Sequence, residues 1–187
     1  MPREERSQSK PATRRTALHA TIGKYLPDLI FGANDGIITT LAVVSGVVGA
    51  ALSSTVILIL GFANLLADGF SMGASNVLSR RSDAQSNVLP TLATAAPHGV
   101  ATFIGFIVAG LVPLLAYLLP WFEGFRFTAA TVLALATLFT VGASRAFFTR
   151  RGWFASGLEM LLLGVLAAAV AYCVGALGAK IIGTAGL

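Results

Sequence analysis

Three acids stand where an apolar chain should have none. The run Asp28-Leu-Ile-Phe-Gly-Ala-Asn-Asp35-Gly36 lies in the first long hydrophobic stretch, and Asn64-Leu-Leu-Ala-Asp68-Gly-Phe-Ser-Met72 lies in the second. A carboxylate in a bilayer core costs roughly 2.5 kcal/mol or more, so such residues mark pathways for ions or protons. Asp28 and Asp35 are two helical turns apart and share a face with Gly32, Gly36 and Thr39. Asn64, Asp68, Met72 and Ser75 share a face of the next helix by steps of four and three. Counting from Lys24, Asp35 lies about 16 Å into its helix, and counting back from Arg80, Asp68 lies about 18 Å into the second. An antiparallel hairpin would hold both at one level, near the middle of a ~30 Å core. Two carboxylates there repel unless a cation or a shared proton lies between them.

The donor types suggest the ion. Carboxylates with the Asn64 amide alone suit magnesium, calcium or manganese. A thioether favours softer ions, so Met72 shifts the expectation to ferrous iron, with manganese, cobalt, nickel and zinc as alternatives. Glu159 is a further intramembrane acid, about 12 Å past Arg151 and near the expected level of Met72. It reads as a ligand, a proton acceptor or an entry site for cations. His98, directly after Pro97, has no evident partner and reads as interfacial. Gly32/Gly36 and Gly69/Gly73 are small-residue pairs that let membrane helices approach closely. The glycines around Asp35 are also expected to loosen the first helix and free backbone carbonyls for an ion.

The elements that must position these residues are membrane spans. The 187-residue chain is 56% hydrophobic and 11% charged, against about 25% charged for a soluble domain. An all-α integral membrane protein of one transmembrane domain, residues 18–187, follows. Residues 1–17 read as a disordered basic cytosolic tail and not as a signal peptide, because a long charged region precedes the first apolar run. Five apolar segments, at about 26–50, 55–79, 98–120, 127–148 and 154–178, each approach the ~20 residues needed to cross a bilayer. Eleven of the thirteen Lys and Arg fall on one side of this arrangement, leaving Arg126 and Lys180 on the other. The positive-inside rule then puts the N-terminus in the cytosol and the C-terminus on the opposite side. The net charge of +5 flanks apolar runs and forms no basic face with interleaved aromatics, which argues against nucleic acid. Trp121 and Trp153 read as interface anchors. The single cysteine, Cys173, excludes an intrachain disulfide and reads as a small apolar filler.

These motifs carry a family resemblance. Asp28-Leu-Ile-x-Gly-x-Asn-Asp35-Gly36, the following Ser45-Gly-Val-Val-Gly-Ala50, then Ala63-Asn-Leu-x-Ala-Asp68-Gly-x-Ser-Met72-Gly, and Leu78-Ser-Arg-Arg-Ser-Asp83 resemble the vacuolar iron transporter family. Gly157-Leu-Glu159-Met160 resembles that family's fifth helix, and the likeness spans about residues 24–180. It implies a five-helix protomer working as a homodimer in the lipid bilayer, exporting Fe²⁺, and often Mn²⁺, from the cytosol in exchange for protons. It implies that Asp35 and Met72 hold the metal near the subunit interface, with Asp28 on the cytosolic approach. The metal is the transported substrate, and no resident cofactor or enzymatic activity is expected. Many members carry a Glu-rich insert between helices 2 and 3. Here that link, about residues 80–97, has one acid, Asp83. The acid at Asp68 stands one turn beyond the position, Asn64 here, where some members have Glu. The short link and basic tail point to the plasma membrane of a bacterium-like cell, or to the vacuolar membrane in a eukaryote.

Two other readings compete. An intramembrane aspartyl protease also uses two midplane acids but needs a Gly-x-Gly-Asp motif, and neither Asp35 nor Asp68 has one. A membrane metal-binding or sensor subunit would bind the ion and move none.

Overall fold

The fold is a bundle of five long helices: α1 (Arg14–Gly49), α2 (Ser54–Arg81), α3 (Leu92–Leu118), α4 (Arg126–Ser144) and α5 (Trp153–Ala185). The structure is a computed structural model that describes residues 14–82, 90–147 and 152–185. Each helix is long and apolar enough to cross a membrane, and no strand occurs among the described residues. The all-α, five-span class expected from hydropathy is the one observed.

The chain reverses tightly between α1 and α2. Ala51 takes a left-handed φ of 56°. Its N–H reaches the Val48 carbonyl, and the Leu52 N–H reaches back to Val47, a Schellman closure that satisfies the last carbonyls of α1. Between α3 and α4 a short 3₁₀ turn, Pro120–Phe122, leads to Gly124, whose φ of +91° suits a residue without Cβ.

α1 is the central element. Its buried residues Ile37, Leu41 and Val44 are fully enclosed, whereas α5 is mostly exposed along its length, as a lipid-facing helix is. Glycines decide which helices approach α1. A Cβ on Gly32 would strike the Thr102 carbonyl, and one on Gly36 would strike the backbone of Phe106, so this seam joins α1 to α3. Gly49 and Gly175 make the equivalent seam between α1 and α5. Gly69 and Gly73 of α2 also face α3, against Phe103, Phe106 and Gly99. The small-residue pairs thus do bring helices close, and the helix they approach is α3. Phe106 fills the space among α1, α2 and α3.

Several boundaries differ from expectation. α1 starts at Arg14, so residues 14–17 of the expected disordered tail are helical, and residues 1–13 lie outside the described residues. α3 starts six residues earlier than expected. Pro97 is tolerated in its second turn, near the helix start, where the missing N–H costs one intrahelical bond. α4 ends at Ser144 and tightens into a 3₁₀ turn, Arg145–Phe147, and α5 runs on to Ala185. α1 is continuous through Gly32 and Gly36. The expected loosening near Asp35 does not occur, because both glycines are clamped against α3. The Asp35 carbonyl also accepts a hydrogen bond from Thr39 Oγ1 at 2.7 Å. Cys173 is exposed on α5 and fills no core position.

Candidate intramembrane metal site

The two aspartates of α1 have opposite surroundings. Asp28 is buried and fully engaged. Its Oδ1 accepts from Asn76 Nδ2 at 2.9 Å and from Arg80 Nη2 at 2.8 Å, both on α2, and its Oδ2 pairs with His98 Nδ1 of α3 at 2.5 Å. Asn76 extends the network to Thr102 Oγ1 at 2.6 Å and accepts from Arg80 Nε at 2.9 Å. The Tyr25 ring packs edge-on against His98. One carboxylate thus ties α1, α2 and α3 together at a single end of the bundle. His98, expected at the membrane interface, is instead buried as its partner.

Asp35, two turns deeper, is half-buried, and among the described residues its carboxylate accepts no hydrogen bond. It lines a cavity of about 450 Å³ between α1 and α5, together with Pro27, Ile30, Asn34, Ile38, Arg145 and Met160. Asn34 is 9% exposed, and its side-chain oxygen has no partner among the described residues. Asp68 of α2 is half-buried and lies within electrostatic reach of Asp35. A half-buried carboxylate that accepts no hydrogen bond among the described residues, with a second one within electrostatic reach, is poised to accept a cation.

The other expected ligands are spread over neighbouring surfaces. Met72 lines a separate hollow with Phe31, Ser75, Asn76 and Ser79, and Phe31 walls both hollows. Asn64 is half-buried one turn from Asp68, with its side-chain nitrogen unpartnered among the described residues. Glu159 is exposed on α5, beside Met160 in sequence and absent from the cavity lining. Among the described residues no three His, Cys, Asp or Glu side chains converge on one ion.

Sequence reasoning missed three residues of this region: Asn34, Asn76 and Arg145. Asn34 lies next to Asp35 in the opening motif, and its type alone could have flagged it. Asn76 stands one turn before Arg80, yet the bond to Asp28 depends on how α2 and α3 seat against α1.

Comparison with known proteins points to one family. The pattern of the VIT family matches residues 26–89 and 87–176, breaking at the α2–α3 link. A vacuolar iron transporter of Toxoplasma gondii is 27% identical over 234 aligned positions, covering 87% of this chain and 77% of that one. Vacuolar iron transporter 1 of Eucalyptus grandis is 24% identical, covering 82% and 86%, and that of Arabidopsis thaliana is 23% identical, covering 84% and 88%. The alignment to the Toxoplasma protein is longer than the 187-residue chain itself, so that relative inserts residues absent here. With the motifs of α1 and α2 inside the matched region and five spans in place, this chain belongs to the VIT family.

Proposed function

We propose that the protein is a membrane transporter that exports Fe²⁺, and Mn²⁺ as a second substrate, from the cytosol in exchange for protons. Family membership supports iron transport, since the relatives named above are vacuolar iron transporters. It also argues for a transporter and against an enzyme. The observation that carries the site is the Asp35 carboxylate, unpaired among the described residues, open to an intramembrane cavity and within electrostatic reach of Asp68.

The coupling follows from elementary chemistry. A divalent ion bound by Asp35 and Asp68 requires both carboxylates deprotonated. When the ion leaves, protons relieve the repulsion between them. Alternating these two states between opposite access directions couples metal export to a proton gradient. Asn64 and Met72 extend the ligand set from α2, and Glu159 offers a further acid on α5. Asp28, held by Arg80 and His98, closes the bundle at the end from which the metal enters. The reading includes a homodimer, in which a second copy supplies ligands that one chain does not bring together. It also includes a cytosolic N-terminus and, in a bacterium-like cell, the plasma membrane.

The test is metal-dependent proton flux in proteoliposomes, screened over Fe²⁺, Mn²⁺, Co²⁺, Ni²⁺, Zn²⁺ and Ca²⁺. Proton release in step with Fe²⁺ movement is expected. Metal binding in detergent with no flux of either ion would favour the non-transporting sensor subunit.

A further inference from the structure

The cavity beside Asp35 contains a thioether that the motif reading did not use for metal. α1 and α5 run parallel, and the register that sets Gly46 against Ala171 sets Asp35 level with Met160. Both residues line the cavity, as does Asn34, whose side-chain oxygen has no partner among the described residues. The placement of Met160 is built into the fold. Its Cβ and Cγ pack so closely on Gly142 of α4 that a Cβ there would lie 2.8 Å from both atoms. Met72, by contrast, opens into the hollow on the far side of Phe31. Arg145 lines the cavity from the turn after α4. It stands about one turn beyond Gly142.

We propose that the Met160 thioether and the Asn34 amide oxygen, together with Asp35, form the α5 side of the metal position, and that preference for softer divalent ions resides in Met160. The proposal rests on the transporter reading above and deepens it. One carboxylate, one amide and one thioether make a mixed set that suits borderline transition metals better than calcium or magnesium. Without the sulfur, Asp35 and Asn34 would form a hard-oxygen half-site.

Two variants test this on the purified full-length chain. Met160→Leu removes the donor at similar volume. Met160→Gln keeps the unbranched stem that Gly142 accommodates and replaces sulfur with a hard amide. Equilibrium binding of Co²⁺ and Mn²⁺ is measured for each, alongside Met72→Leu and wild type. Thermal unfolding confirms that every variant is folded. Met160→Leu is expected to weaken Co²⁺ binding about tenfold or more, by analogy with lost metal-site contacts, and to affect Mn²⁺ much less. Met160→Gln is expected to keep Mn²⁺ binding at or above the wild-type level and leave Co²⁺ binding weak. X-ray absorption at the cobalt edge should show sulfur scattering that persists in Met72→Leu and falls in both Met160 variants. Unchanged Co²⁺ affinity, Co²⁺-to-Mn²⁺ preference and sulfur signal in the Met160 variants would overturn the proposal while leaving the transporter reading intact. A wild-type chain that binds Co²⁺ through Met160 yet moves no metal into vesicles would sink the transporter reading and leave this one standing. No divalent-ion binding by the wild type would sink both.

Discussion

Asp28 and Asp35 lie two turns apart on one helix, and their partners set them to different tasks. Asp28 has donors from two other helices, while Asp35 has none among the described residues. Removing each should therefore produce opposite outcomes. Asp28→Leu strands the buried His98 ring, a polar group left unsatisfied at about 1–3 kcal/mol, and takes one of two acceptors from the Asn76 amide, which keeps Thr102. Arg80 adds little, because its side chain is 40% exposed and solvent screens it. A clear fall in thermal stability in detergent is the expected result. Asp35→Asn should leave that stability unchanged and abolish Fe²⁺ uptake into proteoliposomes. Normal uptake by Asp35→Asn, or an unfolding curve for Asp28→Leu that matches wild type, would refute the respective assignment. Asp35 and Asp68 were legible in the sequence because an acid in an apolar run is costly and conspicuous. The Asp28–His98 pair was not legible. Its members are seventy residues apart, and their meeting depends on α3 starting at Leu92 and not at His98.

At the level of elements, hydropathy disclosed five helices, since each apolar run is long and bounded by Pro, Gly or Arg. Which helices touch was harder to read. Neighbours in sequence suggested that α1 and α2 form the close pair, yet the glycines of both face α3. A glycine pair announces a close approach without naming the partner, because a stripe on a helix is defined before its neighbours are. The α1–α3 seam gives a sharp test. At Gly36 a Cβ would meet backbone atoms of Phe106, which cannot rotate aside as a side chain can. Gly36→Ala should cost about 1–3 kcal/mol or more, because overpacking here must push two helix axes apart. Gly178→Ala, with nothing within 4 Å of the new Cβ, should be neutral or slightly stabilising through better helix propensity. Thermal unfolding of the two variants side by side reads the difference. Equal stability would show that the seam is looser than these contacts imply.

For the whole molecule the decisive question is orientation, because it sets the direction of metal movement. Five spans put the two ends of the chain on opposite sides, and the distribution of Lys and Arg argues for a cytosolic N-terminus. On that argument the α2–α3 link, with Arg80 and Arg81 at its start, is cytosolic, while the turn between α3 and α4 faces the other side. Ser82 and Glu123 are exposed and mark these two connections. The exposed Cys173, the only native cysteine, can be replaced by Ala to give a thiol-free background. In that background, Ser82→Cys should react with a membrane-impermeant thiol reagent only from the cytosolic face, and Glu123→Cys only from the opposite face. The reverse pattern would invert the pathway. The Asp28–Arg80–His98 cluster would then close the exit, and the cavity beside Asp35 would load from outside. Export driven by inward-moving protons would give way to uptake.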